Sequence, residues 1–83
     1  MTHRDKLIDH ILRGSSDADI AFDDLCALLT HFDFTLRVRG SHHLFSKSGI
    51  IEKVNLQRDG AKAKPYQVRQ VRDVIVKYRL GGE

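Results

Sequence analysis

The stretch Phe34-Thr35-Leu36-Arg37-Val38-Arg39-Gly40-Ser41-His42-His43-Leu44-Phe45-Ser46-Lys47 decides the fold. Apolar and polar residues alternate strictly from Phe34 to Arg39, the period of a strand with one face buried. Glycine followed by serine suits a two-residue type II′ turn, because the first turn position needs a positive φ. A second strand then starts at His42. With Gly40-Ser41 as the loop, Arg39 pairs with His42, Val38 with His43, Arg37 with Leu44 and Leu36 with Phe45. Paired residues share a face of the sheet. Phe34, Leu36, Val38, His43 and Phe45 therefore form the core face. Thr35, Arg37, Arg39, His42, Leu44 and Ser46 form a basic solvent face.

The two adjacent histidines thus receive different expectations. His43 is a structural histidine at the edge of the core. His42 is a titratable group at the mouth of a rigid turn, beside two guanidiniums. The assignment depends on register, since a slip of one residue exchanges the two roles.

Outward from the hairpin, Leu7, Ile8, Ile11 and Leu12 repeat at helical spacing and predict a helix over 3–13. Gly14-Ser15-Ser16-Asp17 breaks it. A second helix runs to about His31 on the stripe Phe22, Leu25, Leu28, Leu29 and Phe32, with Ser16 or Asp19 as expected cap. Lys47-Ser48-Gly49 offers a turn, and Ile50 to Gln57 a third strand. Arg58 to Lys64 is a polar loop. Pro65 suits the first position of a last helix that carries Val68, Val71, Ile75 and Tyr78 on one face and ends at Leu80-Gly81-Gly82. The expectation is one α+β domain over 1–83, with an α-β-β-β-α core at 20–80 and an extra N-terminal helix at 3–13. That core has the element order of double-stranded-RNA-binding domains, a three-stranded antiparallel sheet with helices on one face.

Composition narrows the function classes. The chain has 83 residues, 41% of them hydrophobic, and a net charge of +3. No run approaches the length of a membrane span, and no secretory leader pattern is visible at the start. The lone Cys26 leaves no partner for an internal disulfide, so a reducing cytoplasm is the expected location, with the thiol packed in the core. Charge is uneven: residues 1–33 hold three Lys/Arg against seven Asp, and residues 34–83 eleven Lys/Arg against four Asp/Glu. A basic C-terminal half is the footprint of a phosphate-binding surface. His42 and His43, on opposite faces of a strand, cannot easily share one ion, and no other spacing resembles a zinc site, so no metal or cofactor is expected. Ser41 beside His42 lacks the strained Gly-x-Ser-x-Gly turn of a serine hydrolase.

Arg37-Val38-Arg39-Gly40-Ser41-His42-His43-Leu44-Phe45, set between a leucine-rich helix and a closing helix that ends Lys77-Tyr78-Arg79-Leu80, resembles the HicA family of type II toxins. The resemblance covers about residues 20–80. It implies a metal-independent endoribonuclease (mRNA interferase) of a double-stranded-RNA-binding-like fold, held inactive by a HicB-type antitoxin that masks the His42 face. The family's catalytic histidine follows Gly-Ser directly, which maps onto His42. Two features depart from the family: the N-terminal helix, and the segment Asn55-Leu56-Gln57-Arg58-Asp59-Gly60 after the third strand.

For RNA cleavage, His42 is the expected general base or acid. Arg37, Arg39 and Ser41 lie beside it for phosphate binding, and Lys47, Lys62 and Lys64 add backbone attraction. Tyr66 is a candidate second proton carrier. The main alternative is a non-catalytic RNA- or DNA-binding module of the same fold. Another is an adaptor domain whose basic face binds an acidic protein.

Overall fold

The computed structural model describes residues 2–81. Helix α1 spans His3–Arg13, α2 Phe22–His31 and α3 Pro65–Tyr78; strands β1 (Thr35–Arg39), β2 (His42–Ser46) and β3 (Val54–Gln57) lie between α2 and α3. The strands form an antiparallel meander in the order β1-β2-β3. The α+β architecture is the expected one, with helices flanking a three-stranded sheet and one more helix at the N-terminus.

The hairpin register matches the pairing read from the turn: Arg39 faces His42, Val38 faces His43, Arg37 faces Leu44 and Leu36 faces Phe45. Gly40 takes a positive φ of 59°, a conformation costly for a residue with a Cβ. Phe45, Val54 and Leu56 on the inner face are completely buried beneath Leu25, Leu28 and Leu29 of α2 and Val68, Val71 and Ile75 of α3. Gln67 is buried with them. Its Nε2 donates to the Gln57 carbonyl (3.0 Å), and its Oε1 accepts from the Lys64 N–H (3.3 Å), so the core pays no penalty for the amide.

Four details differ from the sequence expectation. The cap of α2 is Ala21, with no side-chain bond; neither Ser16 nor Asp19 takes that role. Asp17–Asp19 form a 3-10 turn, and the Phe22 N–H donates instead to the Ala61 carbonyl (2.9 Å). The Ala63 N–H reaches the Ile20 carbonyl (2.8 Å), so the polar segment after β3 is clamped against the start of α2. The third strand begins at Val54 rather than Ile50, because Glu52 is drawn onto α3 by Lys77 Nζ (2.7 Å) and Tyr78 Oη (2.5 Å). The inner face of β1 is not covered. Leu36 is 42% exposed and Val38 55%, although complete burial of such a side chain is worth about 1.5–3 kcal/mol. Finally, α3 ends in a left-handed Arg79, with the Leu80 N–H returning to the Ile75 carbonyl (3.0 Å). Of the expected terminator Leu80-Gly81-Gly82, the first two residues form the turn after the helix and Gly82 lies outside the described residues.

Helix α1 is tied to the rest through Arg72 of α3. Its Nη1 bonds Asp17 (2.8 Å) and the Ile11 carbonyl (3.3 Å) at the C-terminal end of α1. Cys26 is half-buried against the core, and desolvation pushes its thiol up to about 11, which leaves it inert at neutral pH. Among the described residues, no helix is long and apolar enough to cross a membrane.

The hydrogen bonds from Lys77 and Tyr78 hold the Glu52 carboxyl down to about 2 from its ordinary 4.5. A depressed carboxylate contributes stability that is present above the unfolded value and lost as pH falls through the folded one. Urea unfolding of the wild type and Glu52→Gln is therefore expected to show the variant weaker at pH 7, with the gap closing as pH falls from 4.5 toward 2. A gap that is unchanged at low pH would contradict this role.

Candidate nucleic-acid interface

The outer face of the sheet is built by alternation. Arg37 and Arg39 of β1, His42 and Leu44 of β2, and Asn55 and Gln57 of β3 share it, because His42 is level with Arg39 and Gln57, and Leu44 with Arg37 and Asn55. His42 is exposed at the tip of the hairpin. Its Nδ1 lies 3.3 Å from Asn55 Oδ1. An amide oxygen only accepts, so the bond places the imidazole proton on Nδ1 and leaves Nε2 free to take another. Gln57 Nε2 donates to the Ser41 hydroxyl (3.4 Å), bracing the turn from the same side.

His43 points the opposite way. Its ring meets that of Phe22 edge-to-face at 5.1 Å, and the Arg58 guanidinium lies over the Phe22 ring, 4.6 Å from its centre. Arg58 is also paired with Asp23, and its backbone N–H donates to the Ser41 carbonyl (3.1 Å). The stack anchors the hairpin tip to the first turn of α2. Nδ1 of His43 is buried with no hydrogen-bond partner, a cost that aromatic packing must offset.

The cations expected to bind RNA fall into three groups. Arg37 and Arg39 are exposed, and among the described residues neither has a carboxylate within ion-pair distance. Lys62 pairs with Asp19 (2.8 Å) and Lys64 with Asp59 (3.1 Å). Both pairs are solvated, and pairs of that kind hold by about 1 kcal/mol or less, so a polyanion can compete for either lysine. Lys47 lies just past the far end of β2 from His42, and its Nζ donates to the Phe32 carbonyl (2.6 Å), closing the end of α2. It is not brought to the His42 face. Tyr66 is half-exposed in the first turn of α3, and no hydrogen bond joins it to His42.

Asn55 is the site residue that sequence reading missed. It stood in the segment judged to depart from the family, and only the β2–β3 register sets it beside the imidazole. The alternation of β3 was the available signal: Asn55 and Gln57 had to face away from Val54 and Leu56. No family model matches this chain, and comparison with curated proteins and with solved structures gives no match either.

Because His43 packs rather than reacts, His43→Ala is expected to lose about 2 kcal/mol of stability. His43→Phe, which removes the unpaired nitrogen and keeps the edge contact, should match or exceed the wild type in thermal melting. A His43→Phe protein clearly less stable than His43→Ala would contradict the packing role.

Proposed function

We propose that the protein is a metal-independent endoribonuclease, a HicA-type toxin that cleaves mRNA, inhibits translation and is neutralised by a HicB-type antitoxin in the cytoplasm. The observation that carries this reading is the exposed His42, oriented through Nδ1 by Asn55 and flanked by unpaired Arg37 and Arg39. A purely architectural sheet has no use for an oriented imidazole among free guanidiniums. The resemblance of the hairpin to HicA proteins supports the same reading.

RNA supplies its own nucleophile. Nε2 of His42 takes the proton of a 2′-hydroxyl as the 2′-oxygen attacks phosphorus. Arg37 and Arg39 hold the phosphate and offset the charge that builds on its oxygens. The bond from phosphorus to the 5′-oxygen breaks, and water supplies a proton to the leaving oxygen. The products are a 2′,3′-cyclic phosphate and a 5′-hydroxyl end. DNA, without a 2′-hydroxyl, is not cleaved. Asn55 acts through His42, holding its tautomer and its aim, and is a positioning residue.

Purified protein incubated with RNA in EDTA tests the assignment. His42→Ala should melt like the wild type and lose at least 100-fold in cleavage, in line with the usual worth of a general acid–base group of about 10²–10⁴. Wild-type protein that binds RNA without producing new ends identifies a binding module instead.

Asn55→Ala is expected to lower kcat about tenfold, the loss of one orienting hydrogen bond at the base, while KM stays within about twofold. A rise in KM alone would make Asn55 an RNA-binding residue rather than a positioning one.

A further inference from the structure

The two edges of the sheet are treated differently. In an antiparallel ladder, backbone groups point alternately to one neighbour and to the other. The Arg58 N–H donates to the Ser41 carbonyl, which sets the parity: the backbone groups of Ser41, His43 and Phe45 turn to β3, and those of His42, Leu44 and Ser46 turn to β1. By the register, Arg39, Arg37 and Thr35 then bond to β2. Leu36 and Val38 turn their N–H and C=O groups to the open edge. On the far side, β3 turns the backbone groups of Asn55 and Gln57 outward, and the Gln57 carbonyl is taken by Gln67 of α3 (3.0 Å). The chain thus takes part of the β3 edge for itself, whereas among the described residues no hydrogen bond reaches the outward backbone groups of β1.

The same two residues, Leu36 and Val38, are the inner-face side chains that the helices leave exposed. Their neighbours Arg37 and Arg39 present two unpaired positive charges on the other face. An open strand with apolar side chains below and cations above is complementary to an extended segment with apolar residues below and carboxylates above. A second copy of β1 is a poor match, because self-pairing sets a row of arginines beside a row of arginines, a known defence of edge strands. RNA can meet the arginines but offers neither a backbone ladder nor apolar side chains for Leu36 and Val38.

We propose that β1 is a docking edge for an extended segment of an acidic protein partner, which adds as a fourth, antiparallel strand. Its apolar residues cover Leu36 and Val38, its main chain satisfies their outward backbone groups, and its alternate carboxylates meet Arg37 and Arg39. Strand addition takes affinity from main-chain hydrogen bonds and selectivity from the alternating side chains. The docking edge stands without the nuclease reading. One consequence rests on that reading: carboxylates on Arg37 and Arg39 remove the phosphate contacts, so the bound strand inhibits cleavage.

The probe is a synthetic decapeptide alternating valine and glutamate, titrated into nitrogen-15-labelled protein and followed by amide shifts and hydrogen exchange. Binding should shift the Leu36 and Val38 amides and slow their exchange. Methylating the valine amides of the peptide, which removes the donors that reach β1, should weaken binding about tenfold or more. Val38→Lys should weaken binding comparably and still cleave RNA, because its side chain lies on the face opposite His42. Binding without protection at Leu36 and Val38, or equal binding by the methylated peptide, overturns the proposal. So does protection of these amides in the free protein that rises with its concentration, which identifies a second copy, or protection by an RNA oligonucleotide. If the wild type cleaves no RNA, the nuclease reading falls, and the exchange pattern still decides the docking edge.

Discussion

A two-residue turn at Gly40-Ser41 sets the parity of the whole sheet. Once Gly40 takes its positive φ, Arg39 must lie opposite His42, and every residue of both strands is assigned to a face. The Ser41 carbonyl then accepts from Arg58, which carries the same parity into β3. The turn is held down as well as shaped, since His43, Phe22 and Arg58 stack beneath it. A one-residue change in that loop would turn His43 out, send His42 into the core and separate Asn55 from the imidazole.

The charge asymmetry of the chain is partly used in building the fold. Acidic residues of the first half meet basic residues of the second at Asp17–Arg72, Asp19–Lys62 and Asp23–Arg58. Only the first of these is substantially buried, and Arg72 there also reaches the Ile11 carbonyl, so it locks α1 to α3. The other two are solvated and hold the segment after β3 against α2 weakly. What stands apart on the hairpin is Arg37 and Arg39. Of the cations that a sum over the sequence spreads across half of the chain, these two lie together on the face of His42, while the likewise unpaired Lys53, Arg69 and Arg79 lie outside the hairpin.

Strand β1 combines costs that a structural element would avoid. It exposes apolar side chains, leaves backbone groups unpaired and carries cations without counter-charges. Covering Leu36 and Val38 by a longer α2 or α3 would stabilise the domain. The sheet instead presents an unfinished edge beside an imidazole, and surfaces of that kind are where partners and substrates meet a fold. At the opposite edge the chain supplies one internal partner, the Gln67 amide on the Gln57 carbonyl.

The fold class, the order of the elements, the hairpin register and the opposite orientations of His42 and His43 were legible in the residues alone. All of these follow from local rules: the two-residue period of a strand, the 3.6-residue period of a helix and the φ demanded of a turn glycine. Most of the remaining features depend on contacts between distant segments. Lys47 was expected on the RNA-binding face and closes α2 instead, because a long flexible side chain goes to whichever acceptor the packing brings near. Lys62 is paired with Asp19 across the clamp between Ile20 and Ala63, and Lys64 with Asp59 within its own loop. Ser16 and Asp19 lose the cap of α2 to the Ala61 carbonyl, a contact between segments far apart in the chain. Asn55 joins His42 through a register between strands separated by a loop whose length does not fix it. The exposure of Leu36 and Val38 depends on how far two helices reach across a sheet. Periodicity assigns a side chain to a face, and only the packing of distant elements decides whether that face is covered.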